Sequence, residues 1–200
     1  MSHSRIIHTL GYLGLVSLCL ITTPTLAHRI VPKPSASSQA QSASTLSNWE
    51  LKGAIAAKRG KKGWTASLNW HQNGPNYYQI RLFGPLGGGT VIVEKKGNQI
   101  TYRDGPKLRT STNADDLLQQ ETGIRLPVKN LYYWIRGLPA PGQVQSAQYD
   151  ASHHLLSLKQ GGYTIDYIGY KSVGGFGLPN KVRLQGHGVL IKLVIKRWGR

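Results

Sequence analysis

Cysteine is nearly missing from this chain. The single thiol, Cys19, stands close to the N-terminus. Disulfides, CxxC redox chemistry and cysteine-ligated metals are therefore excluded from the folded part. Acid is also scarce, with 8 Asp and Glu against 25 Lys and Arg and a formal net charge of +17. So few carboxylates leave little material for acid–base catalysis, and two of them, Asp115 and Asp116, stand together where a helix should begin. HExxH and spaced Cys/His sets do not occur, so no metal and no cofactor is expected. Long apolar runs are lacking too: Leu10 to Ile21 falls short of a comfortable bilayer span.

That short run, with Arg5 before it and Thr25-Leu26-Ala27 after it, reads as a targeting segment over 1–27, so export is expected. Cys19 follows Val16-Ser17-Leu18, which resembles the lipoprotein-processing box of bacterial envelope proteins, except that Leu stands where a small residue is usual. Two outcomes stay open: lipidation of Cys19, giving a membrane tether, or cleavage after Ala27, giving no anchor. Residues 28–48 are rich in Ser, Ala, Gln and Pro without apolar periodicity, the composition of a flexible linker. Residues 49–200 then make one domain of ordinary size. The cations are spread through every segment. With export, this argues against nucleic acid and for an anionic membrane surface.

Within the domain the dominant signal is a period of two. Trp49, Leu51, Gly53 and Ile55 alternate with Glu50 and Lys52, and Trp64, Ala66, Leu68 and Trp70 alternate with Thr65, Ser67 and Asn69. Tyr78, Ile80 and Leu82 form a third run, Val91 and Val93 a fourth, and Gln99–Arg103 a fifth, all joined by Gly- or Asn-containing turns. This predicts an antiparallel meander. Thr112 or Asn113 then caps a short helix with Asp115 and Asp116 in its first turn and Gly123 at its end. Pro127 opens a second helix, in which Leu131, Trp134 and Ile135 share a face, and Gly137 with Pro139 closes it. Strands return at Leu155–Lys159, Tyr163–Tyr167, Lys181–Gln185 and Val189–Trp198. The fold expected is mainly β, a curled or barrel-like sheet of about 9–11 strands with inserted helices across its mouth or inner face.

Catalytic candidates are few. Asp166 is the one acid within a predicted strand and reads first as an outward residue paired with a nearby Lys. His153-His154 lacks partners for a metal, and Gly174-Gly175-Phe176-Gly177 does not lead a strand into a helix as a phosphate loop would. An envelope hydrolase using Asp166 or His154 is one alternative, and a cationic surface-binding protein without a cavity is another. The richer signal is apolar: Trp49, Leu51, Trp64, Leu68, Trp70, Ile80 and Leu82 share the inner face and either pack solid or enclose a cavity. The loop Gly84-Pro85-Leu86-Gly87-Gly88-Gly89 carries one large apolar side chain, Leu86, which either folds back onto the core or is held out in water.

The succession of Gly53 after the first Trp, Trp70, Gly84-Pro85-Leu86-Gly87, Leu126-Pro127-Val128, Trp134-Ile135-x-Gly137-Leu138-Pro139, Tyr163–Tyr170, Leu178-Pro179 and Lys192–Trp198 resembles the LolB family of bacterial outer-membrane lipoprotein receptors. The resemblance covers nearly all of 49–198. It implies an unclosed antiparallel barrel with a helical lid over a hydrophobic cavity, lined by the inner-face residues above with Leu131 and Trp134. It further implies a monomeric, non-enzymatic protein at the periplasmic face of the outer membrane. Such a protein takes lipoproteins by their acyl chains from a LolA-like periplasmic carrier and inserts them among outer-membrane lipids. In that reading Pro85, Leu86 and Gly87 form a projecting membrane-insertion loop.

Overall fold

The computed structural model describes residues 43–85 and 88–199, so the targeting segment with Cys19, most of the expected linker, and Leu86 with Gly87 lie outside the described residues. The described chain builds one antiparallel sheet of 11 strands. These are β1 (Asn48–Arg59), β2 (Lys62–Asn73), β3 (Tyr77–Phe83), β4 (Thr90–Lys96), β5 (Gln99–Asp104), β6 (Lys107–Ser111), β7 (Val144–Tyr149), β8 (Leu155–Gln160), β9 (Tyr163–Val173), β10 (Phe176–Gly186) and β11 (Val189–Gly199). Helices α1 (Ala114–Thr122) and α2 (Val128–Trp134) lie between β6 and β7.

The spatial order is β6-β5-β4-β3-β2-β1-β11-β10-β9-β8-β7. The chain thus forms two meanders, β1–β6 and β7–β11, joined by the ladder between β1 and β11. The two outer strands, β6 and β7, do not pair with each other, so the barrel is not closed. The helices occupy the one connection that must travel from one edge to the other. Their apolar residues are buried in a single cluster with the inward faces of the strands, which places them over the concave side.

The inward phase follows the expected alternation. Register pairs Leu51 with Trp70, Gly53 with Leu68, and Ile55 with Ala66, and carries the face on through Leu68–Leu82 and Trp70–Ile80. Gln72, buried to 2% exposure, continues that face, accepting a hydrogen bond from Trp70 Nε1 at 2.8 Å and donating to the carbonyls of Gly74 and Tyr77. A polar side chain can sit there because the turn supplies its partners.

The sheet curls at bulges. Between β1 and β11 the register slips after Lys52, leaving Lys196 as the extra residue. Gly53 sits at this slip, where a Cβ would lie 2.1 Å from the Val194 carbonyl oxygen. A second irregularity runs from Pro179 to Val182 in β10, where Trp198 Nε1 donates to the Pro179 carbonyl at 2.9 Å.

The helix signals hold in detail. The Asn113 side chain accepts from the amides of Asp115 and Asp116, and Gly123 caps the C-terminus at φ 73°. Pro127 precedes α2, and Gly137 takes φ 78° beyond it. Strands β6 and β7 were not among those predicted, and β9 and β10 run longer than expected. β6 and β7 are almost wholly exposed edge strands without an apolar alternation, while Gly177 and Pro179 look like breakers but sit in or beside a bulge. Ala43 and Leu46, inside the stretch expected as linker, are buried in the core.

Gly53→Ala places a methyl group against a backbone carbonyl that cannot turn away. It is expected to lower stability by about 1–3 kcal/mol, as overpacking does, measured by denaturant unfolding.

Candidate functional site

The interior is apolar and almost full. Ile55, Leu68, Trp70, Ile80, Leu82, Val93 and Leu193 from the strands meet Leu118, Leu126, Val128 and Leu131 from the helical insert around a cavity of about 30 Å3. That is room for about one water molecule, and the wall is apolar, so the space is dry. Of the residues expected to line a cavity, Leu68, Trp70, Ile80, Leu82 and Leu131 border this one. Trp49 and Leu51 are buried beyond it: Trp49 packs against Trp70 (5.3 Å between centroids), Trp198 (5.5 Å) and, from α2, Tyr132 (6.3 Å). Trp134 is fully buried beside Tyr163. Trp64 has the expected inward phase but is only half-buried, at the rim where β1 turns into β2.

The helical cover is held by a few polar contacts. Asp115 Oδ1 accepts from Val128 N at 3.0 Å, fastening the start of α1 to the start of α2, and burial pushes its carboxyl pKa up despite that bond and nearby Arg125. At the far end of α2, Trp134 Nε1 donates to Gln160 Oε1 at 2.9 Å. The same amide accepts from Ala140 N at 2.8 Å and donates to Ala140 O at 2.6 Å. Gln160 is 3% exposed, so one strand residue clamps both α2 and the segment after it.

Arg136 is the second tie. At 2% exposure it donates from Nε to Tyr132 O and from its terminal nitrogen to the carbonyls of Ala43 and Leu46, and its guanidinium lies 4.1 Å from the Tyr132 ring centroid. Burial draws its pKa below that of ordinary arginine. It joins α2 to the segment entering β1. Nothing in the periodicity distinguished Arg136 or Gln160, because both lie on faces whose neighbours are apolar.

Two larger openings flank the filled interior. One, of about 420 Å3, is lined by Arg59, Asp115, Arg125, Tyr163 and His187 among others, and the other, of about 680 Å3, by Tyr78, Lys95, Ile100, Asp115, Tyr132 and Tyr133 among others. Asp115 borders both.

The alternative catalytic residues are not brought together. Asp166 accepts from Ser157 Oγ at 3.3 Å and stands opposite Arg183 in the ladder, so its outward position is as read but its hydrogen-bond partner is a serine rather than a lysine. His154 instead stacks on Tyr170 (4.4 Å) with Nδ1 3.2 Å from Asp150. Among the described residues no group of three or more His, Cys, Asp or Glu is placed to hold a metal, and no helix is long and apolar enough to cross a membrane. In the proposed insertion loop, Gly84 N donates to Gly89 O at 3.2 Å and Pro85 is exposed, while Leu86 and Gly87 lie outside the described residues.

An open antiparallel sheet curled over an apolar interior, with two helices inserted as its cover, defines the class of unclosed antiparallel barrels. A crystal structure of a LolA superfamily protein from Nitrosomonas europaea shares this fold, with a TM-score of 0.50 at 10% identity over 84% of this chain and 94% of that one. Within that class the chain belongs to the LolB family, whose model, described as outer membrane lipoprotein LolB, matches residues 47–198. Relatives named outer-membrane lipoprotein LolB agree. The protein of Coxiella burnetii strain RSA 493 is 36% identical over 78% of this chain and 73% of its own. That of Pseudomonas savastanoi pv. phaseolicola is 35% identical over 79% and 77%.

Gln160→Leu keeps the bulk but leaves Trp134 Nε1 and the Ala140 amide without partners. Each buried orphan costs about 1–3 kcal/mol, so calorimetry is expected to show a loss of several kcal/mol, far beyond that from Lys159→Leu on the exposed side.

Proposed function

We propose that this protein is an outer-membrane lipoprotein receptor that accepts lipoproteins from a LolA-like periplasmic carrier and places them in the outer membrane. Membership of the LolB family carries the receptor role and the outer-membrane location. The observation that carries the mechanism is the continuous apolar lining shared by strands and helices. Burial of acyl methylenes at about 0.8 kcal/mol each drives capture, and no covalent step is required.

A cavity of about 30 Å3 does not admit an acyl chain, and in this reading the described conformation is a closed one. Capture requires α1 and α2 to swing off the strands, exchanging Leu118, Val128 and Leu131 for acyl methylenes against Leu68, Ile80 and Leu82. The hydrogen bond from Trp134 to Gln160 on β8 resists that motion, while the bond of Asp115 to Val128 keeps the two helices together as one cover. After capture, Leu86 enters the acyl boundary of the membrane and brings the mouth of the barrel to the bilayer; this role rests on the loop's composition and the family resemblance.

Titration with a fluorescent acyl probe tests capture: wild type is expected to saturate near one equivalent, and absence of saturable binding would sink the proposal. Leu68→Glu is expected to abolish probe binding in folded monomer, because a carboxylate in this interior must be neutralised or costs several kcal/mol. Its outward neighbour Ser67→Glu should bind normally.

Leu86→Glu separates capture from delivery. A charged residue in this Gly-rich connection is expected to leave the melting temperature and acceptance from the carrier unchanged, yet to reduce deposition into liposomes, since Glu stays hydrated and is repelled by anionic head groups. Normal deposition would remove the membrane role of the loop.

A further inference from the structure

The barrel has two unlike ends. The turns β1/β2, β3/β4, β5/β6, β8/β9 and β10/β11 all stand at one of them, as the registers Arg59↔Lys62, Phe83↔Thr90 and Arg59↔Val189 require. Of the two openings that flank the interior, the one bordered by Arg59, Tyr163 and His187 lies at this same end, and the one bordered by Pro75, Asn76 and Lys95 lies at the other. Here the β1/β2 hairpin concentrates charge: Lys58, Arg59, Lys61 and Lys62 are all exposed, and among the described residues none forms a salt bridge. Elsewhere the few acids are already engaged, for example Glu121 by Lys107 and Arg109, and Asp116 by Arg125.

Beside the hairpin lies a groove of about 480 Å3 that no part of the capture mechanism uses. Lys58, Lys61 and Lys192 surround it, while its remaining walls include Trp64, Leu190 and Ala56. Trp64 is half-buried, with an indole Nε1 that is buried and has no hydrogen-bond partner. Lysines together with an indole and aliphatic side chains in one groove match the two parts of a membrane surface, phosphate outside and glycerol or acyl carbon beneath. Trp is the residue that favours that boundary.

We propose that this groove and the β1/β2 hairpin form a docking site for anionic phospholipid, orienting the barrel with the Arg59–Tyr163–His187 opening toward the bilayer. An anionic leaflet attracts each nearby Lys or Arg, and four unpaired cations in a five-residue span act together. Free phosphate would use the ammonium groups but not the indole and Leu190, and these apolar side chains in the lining favour a lipid. The hairpin adjoins the β3/β4 connection in the sheet, so docking here and insertion there act on one face. The inference rests on the proposed membrane delivery, but it concerns residues outside the acyl-binding interior.

Flotation of full-length protein with vesicles of phosphatidylcholine containing 30 mol% phosphatidylglycerol tests it. Wild type is expected to bind these and not pure phosphatidylcholine, with binding lost as salt shortens the reach of the charges. Lys61→Ala with Lys192→Ala is expected to weaken binding about 25-fold, about fivefold per cation removed. Lys171→Ala with Lys181→Ala, the same change in net charge on β9 and β10 away from the hairpin, should change it less than threefold. Doxyl-labelled phosphatidylglycerol should quench tryptophan fluorescence in wild type and markedly less in Trp64→Phe. Equal binding to neutral vesicles, equal losses in the two double variants, or quenching unchanged in Trp64→Phe would each overturn the site. Full vesicle binding by the Lys61/Lys192 variant with loss of transfer from the carrier would assign these cations to an acidic protein face and overturn it also. The acyl-probe titration reads the other proposal separately, since all these variants should bind probe normally.

Discussion

The ladder between β1 and β11 is the contact on which the rest depends. It joins the first and last strands of the domain, and without it the chain is two meanders of six and five strands with no common concave face. Such a closure is costly in chain entropy, since its partners are separated by nearly the whole domain, and it must be repaid by a long register. The register runs from Glu50↔Gly199 to Arg59↔Val189 and tolerates one bulge, at Gly53. At that bulge the lack of a Cβ on Gly53 makes room for the Val194 carbonyl, which a side chain there would strike. Once the seam forms, the helices between β6 and β7 have one apolar surface to cover.

That cover meets two opposing demands. A folded interior favours full packing, whereas the proposed function requires space for an acyl chain. The chain reconciles them by filling the interior with helix side chains of the same chemistry as the ligand. Exchanging Leu131 or Val128 for acyl methylenes replaces one apolar contact with another, so the hydrophobic term largely cancels. What remains is the difference between the polar ties of the closed cover and whatever the open cover gains. Those ties are few, at Gln160 and Arg136 by the end of α2, while Asp115 joins α1 to α2, which lets the helices act as a unit rather than peel residue by residue. A balance close to neutral suits the proposed cycle of acceptance and release.

Period-two alternation made the inner strands readable, because each buries one face and exposes the other; Leu68 and Ser67 show it plainly. Helix punctuation was equally clear, since Asn113, Gly123, Pro127 and Gly137 act through local geometry that tertiary contacts do not alter. The edges were not readable. β6 and β7 face water on both sides, so composition there records solubility rather than pairing. The inner-face residues were identified without their arrangement: alternation placed Trp64 and Trp49 with Leu68, but only the curvature separates a rim residue and an aromatic cluster from the wall of the interior. Gln160 and Arg136 escaped notice because their partners are backbone carbonyls and an indole brought together from distant segments.

The distribution of charge follows the same division between inside and outside. Carboxylates are spent on structure: Asp115 and Asp116 at the start of α1, Glu121 against Lys107 and Arg109, Asp150 beside His154. Cations greatly exceed these partners, so most remain on the outer surface as a net positive field rather than as pairs. Such a field opposes folding slightly through self-repulsion, and with no compensating structural role its maintenance points to a partner outside the molecule. An evenly spread field would attract an anionic surface in any orientation. Concentration of unpaired cations in the β1/β2 hairpin breaks that symmetry, and it does so at the end of the Arg59–Tyr163–His187 opening. Orientation, rather than affinity alone, is what this asymmetry adds to the proposed delivery: a barrel that docks by the hairpin presents this opening to the bilayer without a search over orientations.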